Sequence, residues 1–171
     1  MYAVEAIKLI AGNLRSAYAL GGNLAAREAM CKASLYAGIA FANAGVTAVH
    51  ALSFPLGGKY KIPHGMANAL LLPYVMEYNL IWCLYRFAHI AELMGEKIGV
   101  LSLLDAASKS VDAVKRLAED VSIPLKLSAI NIVEKDIKPL SEGAATVTRL
   151  LKNNPREISI ADIESIYKSA L

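Results

Sequence analysis

From Ala33 to Gly58 the chain runs 26 residues without an Asp, Glu, Lys or Arg. A stretch of that length without charge has to be covered by something apolar, and this restricts the fold more than any other feature. Length alone would let it cross a bilayer. Its content argues against that. Much of it is Ala and Gly, while Ser34, Asn43, Thr47, His50 and Ser53 are polar and Pro55, Gly57 and Gly58 interrupt its end. A helix apolar on all sides is equally suited to the centre of a bundle. The expectation is therefore no membrane span, with a helix over about Leu24–Ala44 in the middle of the bundle. Its small side chains would let neighbouring helices approach closely.

The flanking sequence has helical periodicity. Residues 1–19 place Val4, Ile7, Leu9 and Ile10 on one face and Glu5, Lys8 and Arg15 on the other. Gly21-Gly22 ends that helix and Asn23 caps the next. Residues 45–63 read as a short helical piece and an irregular Gly- and Pro-containing loop. A helix then opens at His64 and runs to about Asn79, with Pro73 inside it expected to kink or divide it. Further helices are predicted over Trp82–Met94 and Ser102–Val121, the second with Ser102 as cap and Asp105 in its first turn. Residues 125–132 form a linker and 134–152 a looser helix. Ser159 caps a last helix over Ile160–Ala170, with Asp162 as its capping-box partner. No β-alternation is long enough for a sheet. The fold class is all-α, a helical bundle forming a single domain over 1–171.

Composition excludes several functions. The 18 basic and 15 acidic residues give a net charge of +3, and the basic residues are dispersed. No basic patch with interleaved aromatics is present, so no nucleic-acid partner is expected. Cys31 and Cys83 form neither a CxxC nor a disulfide framework, and the N-terminus lacks the pattern of a signal peptide. A reducing, cytoplasmic location follows as the expectation. The absence of glutamine suggests a thermophilic source. At 56% hydrophobic residues, the chain is richer in apolar side chains than an isolated domain requires.

Three histidines remain as chemistry-bearing candidates. His89 lies in a regular amphipathic helix and reads as an ordinary helix residue. His50 ends the most apolar segment, where an imidazole is costly to bury without a partner. His64 follows Pro63 and opens a helix. The Gly-rich loop between the two can bend the chain back and bring both imidazoles together, which would suit a divalent first-row metal. Two ligands fall short of the three that a catalytic site needs, so the spacing leaves metal binding open.

The wording around these histidines is more specific. GVTAVHALSFPLGGKYKIPHGMANALLLPYVMEYN, residues 45–79, resembles the C-terminal domain of the iron-containing (group III) alcohol dehydrogenases. EAIKLIAGNLRSAY and GNLAAREAMCKASLYAGIAFANAGV upstream match as well, as do the closing NPRE and ADIESIYKSA. The resemblance implies a helical domain like the α domain of dehydroquinate synthases, paired in the family with an N-terminal half that binds NAD or NADP. It implies a divalent metal, Fe2+ or alternatively Zn2+, held by an Asp, a His four residues after it and two later His. The two later positions fall on His50 and His64. The activity implied is oxidation of a small primary alcohol, or reduction of the aldehyde, by hydride transfer.

Two departures qualify this. No Asp-x-x-x-His and no glycine-rich phosphate loop occur in these 171 residues. The nucleotide-binding domain is thus expected to be absent, and the chain alone to be inactive. Many members also carry a His near the nicotinamide four residues after the first of these two histidines. Here that position is Phe54, which suggests a more apolar pocket. Phe41 falls where the family lines its substrate pocket, the alternative being plain core packing. Asn68 and Tyr78 read as capping and packing groups. The partners expected are the missing nucleotide-binding domain or a second chain, within a homo-oligomer. Two other readings stand beside this one: a non-catalytic helical assembly domain or truncated gene product, and a fragment of a glycerol dehydrogenase-like enzyme.

Overall fold

The computed structural model describes all of residues 1–171, as nine α-helices and two short 3-10 turns with no strand. The chain divides into two compact units, Met1–Gly45 with Cys83–Val121, and Val46–Trp82 with Ser122–Leu171.

The first unit holds α1 (Tyr2–Ala19), α2 (Leu24–Ala44), α5 (Leu84–Leu93) and α6 (Leu103–Asp120). Helices α1 and α2 form a hairpin across Gly21-Gly22, with the Asn23 side chain accepting from the Ala26 N–H at 3.1 Å. Helix α5 packs on α6, and both touch α1. The Ser102 hydroxyl caps α6 by accepting from the Asp105 N–H, as the sequence predicts. The Arg15 guanidinium reaches Asp120 at 2.6 Å.

The expected place of α2 at the centre is corrected here. Only Ala26 and Ala33 of its 21 residues are buried. Leu24, Leu35 and Phe41 are exposed. The uncharged run is divided at Gly45, whose φ of 76° lies in the left-handed region that favours glycine. No single helix is long and apolar enough to cross a membrane. The half that is truly covered is the second, which forms α3.

The second unit contains α3 (Ala48–Tyr60), α4 (His64–Asn79), α7 (Glu134–Ala145), α8 (Thr148–Leu151) and α9 (Ile160–Ser169), with 3-10 turns at Leu80–Trp82 and Leu127–Ile130. Its core is large and aliphatic: Leu52, Leu56, Leu70, Leu71, Ile137 and Ile163 are almost completely buried. The sequence predicts an irregular loop through PLGG, and the structure shows a helix instead. Pro55, Gly57 and Gly58 all lie within α3. Pro55 removes one backbone donor and costs about 3 kcal/mol in an isolated helix. Here Leu52 and Leu56 anchor its two sides in the core, and the Pro55 ring packs on α7 at Gly143, where a Cβ would come within 3.3 Å of it. Tertiary packing overrides the local breakers. Pro73 likewise lies inside one continuous α4 and does not divide it.

The linker expected at 125–132 is also part of this core. Leu127 and Ile132 are fully buried, and the Leu127 N–H donates to Ala170 at 2.7 Å. Where the sequence predicts one loose helix over 134–152, the structure has two, α7 and α8.

Candidate metal centre

The reversal that brings the histidines together is made by three residues after α3. Lys61 takes the left-handed conformation at φ 59°, and the Ile62 N–H donates back to the Leu56 carbonyl at 3.3 Å. Pro63 then fixes the approach to α4. His64 therefore arrives opposite Ser53 and Phe54, and its ring centroid lies 5.2 Å from that of His50. The bend thus comes from Lys61–Pro63, while the glycines stay helical.

On α3, His50, Ser53 and Phe54 are spaced i, i+3 and i+4, which puts them on one face. The His64 ring has two ring neighbours, His50 in a tilted contact and Phe54 in a stacked one. The Phe54 ring is near-parallel to it, 22° between planes at 5.8 Å. Both ring nitrogens of His64 have polar neighbours. Nδ1 lies 3.4 Å from the Ser53 hydroxyl oxygen and Nε2 lies 2.9 Å from the Asn68 amide nitrogen. His50 is half-buried, whereas His64 and Phe54 face solvent. Burial, and next the neighbouring His64, push the His50 imidazole below its ordinary range. That keeps His50 neutral near pH 7, the form that binds a metal.

No third His, Cys, Asp or Glu joins this pair. The donor set therefore fits part of a metal shell: two convergent imidazoles at a surface, of a kind that suits a divalent first-row metal. His89 stands apart on α5, beside Glu92 at 3.5 Å. Phe41 is 57% exposed on α2 of the first unit, so it is no core side chain. A groove of about 550 Å³ around Leu151, Lys152, Glu157 and Ile163 shares no residue with the imidazole pair.

All residues from 1 to 171 match the model of the Fe-containing alcohol dehydrogenase family, C-terminal part. The chain belongs to the iron-containing alcohol dehydrogenase family. It is 49% identical over 168 residues to a 1,3-propanediol dehydrogenase of Klebsiella pneumoniae, covering 98% of this chain and 43% of that protein. A long-chain-alcohol dehydrogenase of Geobacillus thermodenitrificans is 43% identical, with 98% of this chain and 42% of that protein covered. The crystal structure of a 1,3-propanediol oxidoreductase superposes with a TM-score of 0.96 at 49% identity, over 99% of this chain and 44% of the other. The chain thus spans less than half the length of these dehydrogenases. The fold is that of their all-α C-terminal region, as the sequence predicts.

Other stretches that carried the resemblance meet in the structure. The EYN at the end of α4 and the NPRE turn are joined by a reciprocal amide pair, Asn79 with Asn154, at 3.0 and 2.8 Å. The Arg156 guanidinium stacks 4.0 Å over the Tyr78 ring and donates to the Tyr78 carbonyl. Tyr78 is thus the packing group that its sequence context suggests. Asn68 differs from expectation: it sits on His64. Its i+4 spacing from His64 carried that information, since residues so spaced on a helix are neighbours. Nothing in the local sequence marks Ser53, eleven residues away from its contact.

Proposed function

We propose that this chain is the metal-side region of an NAD(P)-dependent iron-containing alcohol dehydrogenase that interconverts a small primary alcohol and its aldehyde. The observation that carries this reading is the convergence of His50 and His64, 5.2 Å apart, in a chain of that family. His50 and His64 would supply two ligands of the metal. The remaining ligands and the nicotinamide site would come from polypeptide outside these 171 residues, in the same or a second chain. When bound, the ion supplies Lewis-acid polarisation of a substrate oxygen.

The chain's own residues have separate tasks. His50 stays neutral through burial and offers a lone pair. His64 lies against the rings of His50 and Phe54, and its two ring nitrogens meet Ser53 and Asn68. Phe54 is 47% exposed beside it and presents an apolar wall that carries no proton. Phe54 therefore offers no proton-relay group at this position and favours contact with the carbon chain of an alcohol over a second polar substituent. Exposed apolar side chains such as Leu24, Phe41 and Tyr85 support a further protein surface as partner.

The first measurement is metal content after anaerobic loading with ferrous iron and desalting. Bound iron should fall with His50→Ala and with His64→Ala. In the polypeptide completed by a nucleotide-binding half, either change should lower alcohol-dependent reduction of NAD(P) by more than the ~10–100-fold typical of losing an outer-shell partner. Undiminished turnover with both histidines replaced would overturn the assignment.

A further inference from the structure

A histidine serves as a ligand only through a nitrogen that carries a lone pair, and the hydrogen bond at the other nitrogen selects which one that is. Around His64 the selection can be read from the donors. Ser53 is fully buried, at 0% exposure. Its hydroxyl has one proton, and that proton is committed to the His50 carbonyl at 2.9 Å, within α3. Toward His64 the same oxygen therefore acts as an acceptor. The atom it faces, at 3.4 Å, is Nδ1. The proton of the neutral ring then sits on Nδ1 and the lone pair on Nε2. The other side of the ring agrees, because the group at Nε2 is the Asn68 amide nitrogen, a donor, at 2.9 Å.

We propose that Ser53 is a positioning residue that holds His64 as the Nδ1–H tautomer, with the lone pair on Nε2, where the Asn68 amide donates and a ligand would take its place. One hydroxyl links both imidazole residues: it ties down the backbone of His50 and the ring of His64. The tautomer assignment rests on hydrogen bonding alone. Its consequence for metal affinity rests on the metal reading above, and the two are tested separately.

The experiment uses the intact chain labelled with 15N in histidine. At about pH 8.5, some two units above the ordinary imidazole value, ring nitrogen shifts report the tautomer without any metal. Wild type should show His64 protonated at Nδ1. Ser53→Ala, which keeps a good helix former in α3, should move His64 toward the Nε2–H form or a mixture and leave His89 unchanged. Ser53→Thr, which restores the hydroxyl, should bring the Nδ1–H form back. A wild-type His64 protonated at Nε2, or a tautomer unaltered by Ser53→Ala, would overturn the proposal. In a parallel titration with Co2+, Ser53→Ala should bind about tenfold more weakly, at the lower end of outer-shell effects. If wild type binds no Co2+ while the tautomer responds as described, the Ser53 assignment stands and the metal reading of His50 and His64 fails.

Discussion

Tyr167 is the largest fully buried side chain of the molecule, and its hydroxyl donates to the Leu52 carbonyl at 2.6 Å. Burial pushes its pKa far above the ordinary tyrosine range, so it remains a donor at every working pH. The bond connects α9 to α3 between His50 and Ser53, two of the three α3 residues that face His64. Tyr167→Phe keeps the ring and removes only the donor. It should destabilise the chain by about 1 kcal/mol in denaturant unfolding, the typical net worth of one such bond. The sequence places Tyr167 on the predicted last helix, but no pattern says that its oxygen meets α3. The same holds for Ser53. It lies in a segment that reads as part helix and part loop, and its partner depends on where the chain returns after Lys61.

Helix ends were the most legible elements, because a cap depends on residues within one turn. Asn23, Ser102 and Ser159 cap α2, α6 and α9 through their side chains, as their positions before apolar periodic runs predict. At α9 the box is complete: Asp162 accepts from both the N–H and the hydroxyl of Ser159. Those bonds, the hydroxyl first, hold the Asp162 carboxyl below the usual aspartate range. A lowered folded-state value means that this stabilisation is complete above about pH 4 and is lost as pH falls below it, through the folded-state value. Asp162→Asn should cost about 0.3–1 kcal/mol near neutrality, the usual worth of a negative charge in the first helical turn. Its melting temperature should also decline less steeply than that of wild type on acidification below pH 4, measured by thermal unfolding across pH. The element read least well was α3. Its glycines and Pro55 are local breakers, and only the buried Leu52 and Leu56 and the close fit of Pro55 to Gly143 make it helical.

Across the whole molecule the two units are built from different material. The first buries mainly alanines, Ala6, Ala26, Ala33, Ala88, Ala91 and Ala107 among them. The second buries Leu, Ile and Tyr side chains throughout. Apolar area removed from water sets most of the stabilisation, at about 25 cal/mol per Å², and an alanine removes little. Amides of α3, α4 and α9 should therefore exchange with solvent deuterium more slowly than those of α1 and α2, in native-state exchange followed by mass spectrometry. Equal protection of α2 and α3 would contradict this. The same imbalance explains why the uncharged run misled at this scale. Residues 33–44 lack charge yet only Ala33 among them is buried, and residues 48–56 provide the buried helix.

The order of residues determined the all-α class, most helix spans, the side-chain caps and the pairing of His50 with His64 as candidates. Each depends on spacing along a single helix or on a motif of contiguous residues. Tertiary structure decided that the breakers of α3 are overridden, that α2 is peripheral and that Ser53 and Phe54 close on His64. Those outcomes depend on burial and on contacts between separate elements, and neither is encoded in the spacing of a single segment.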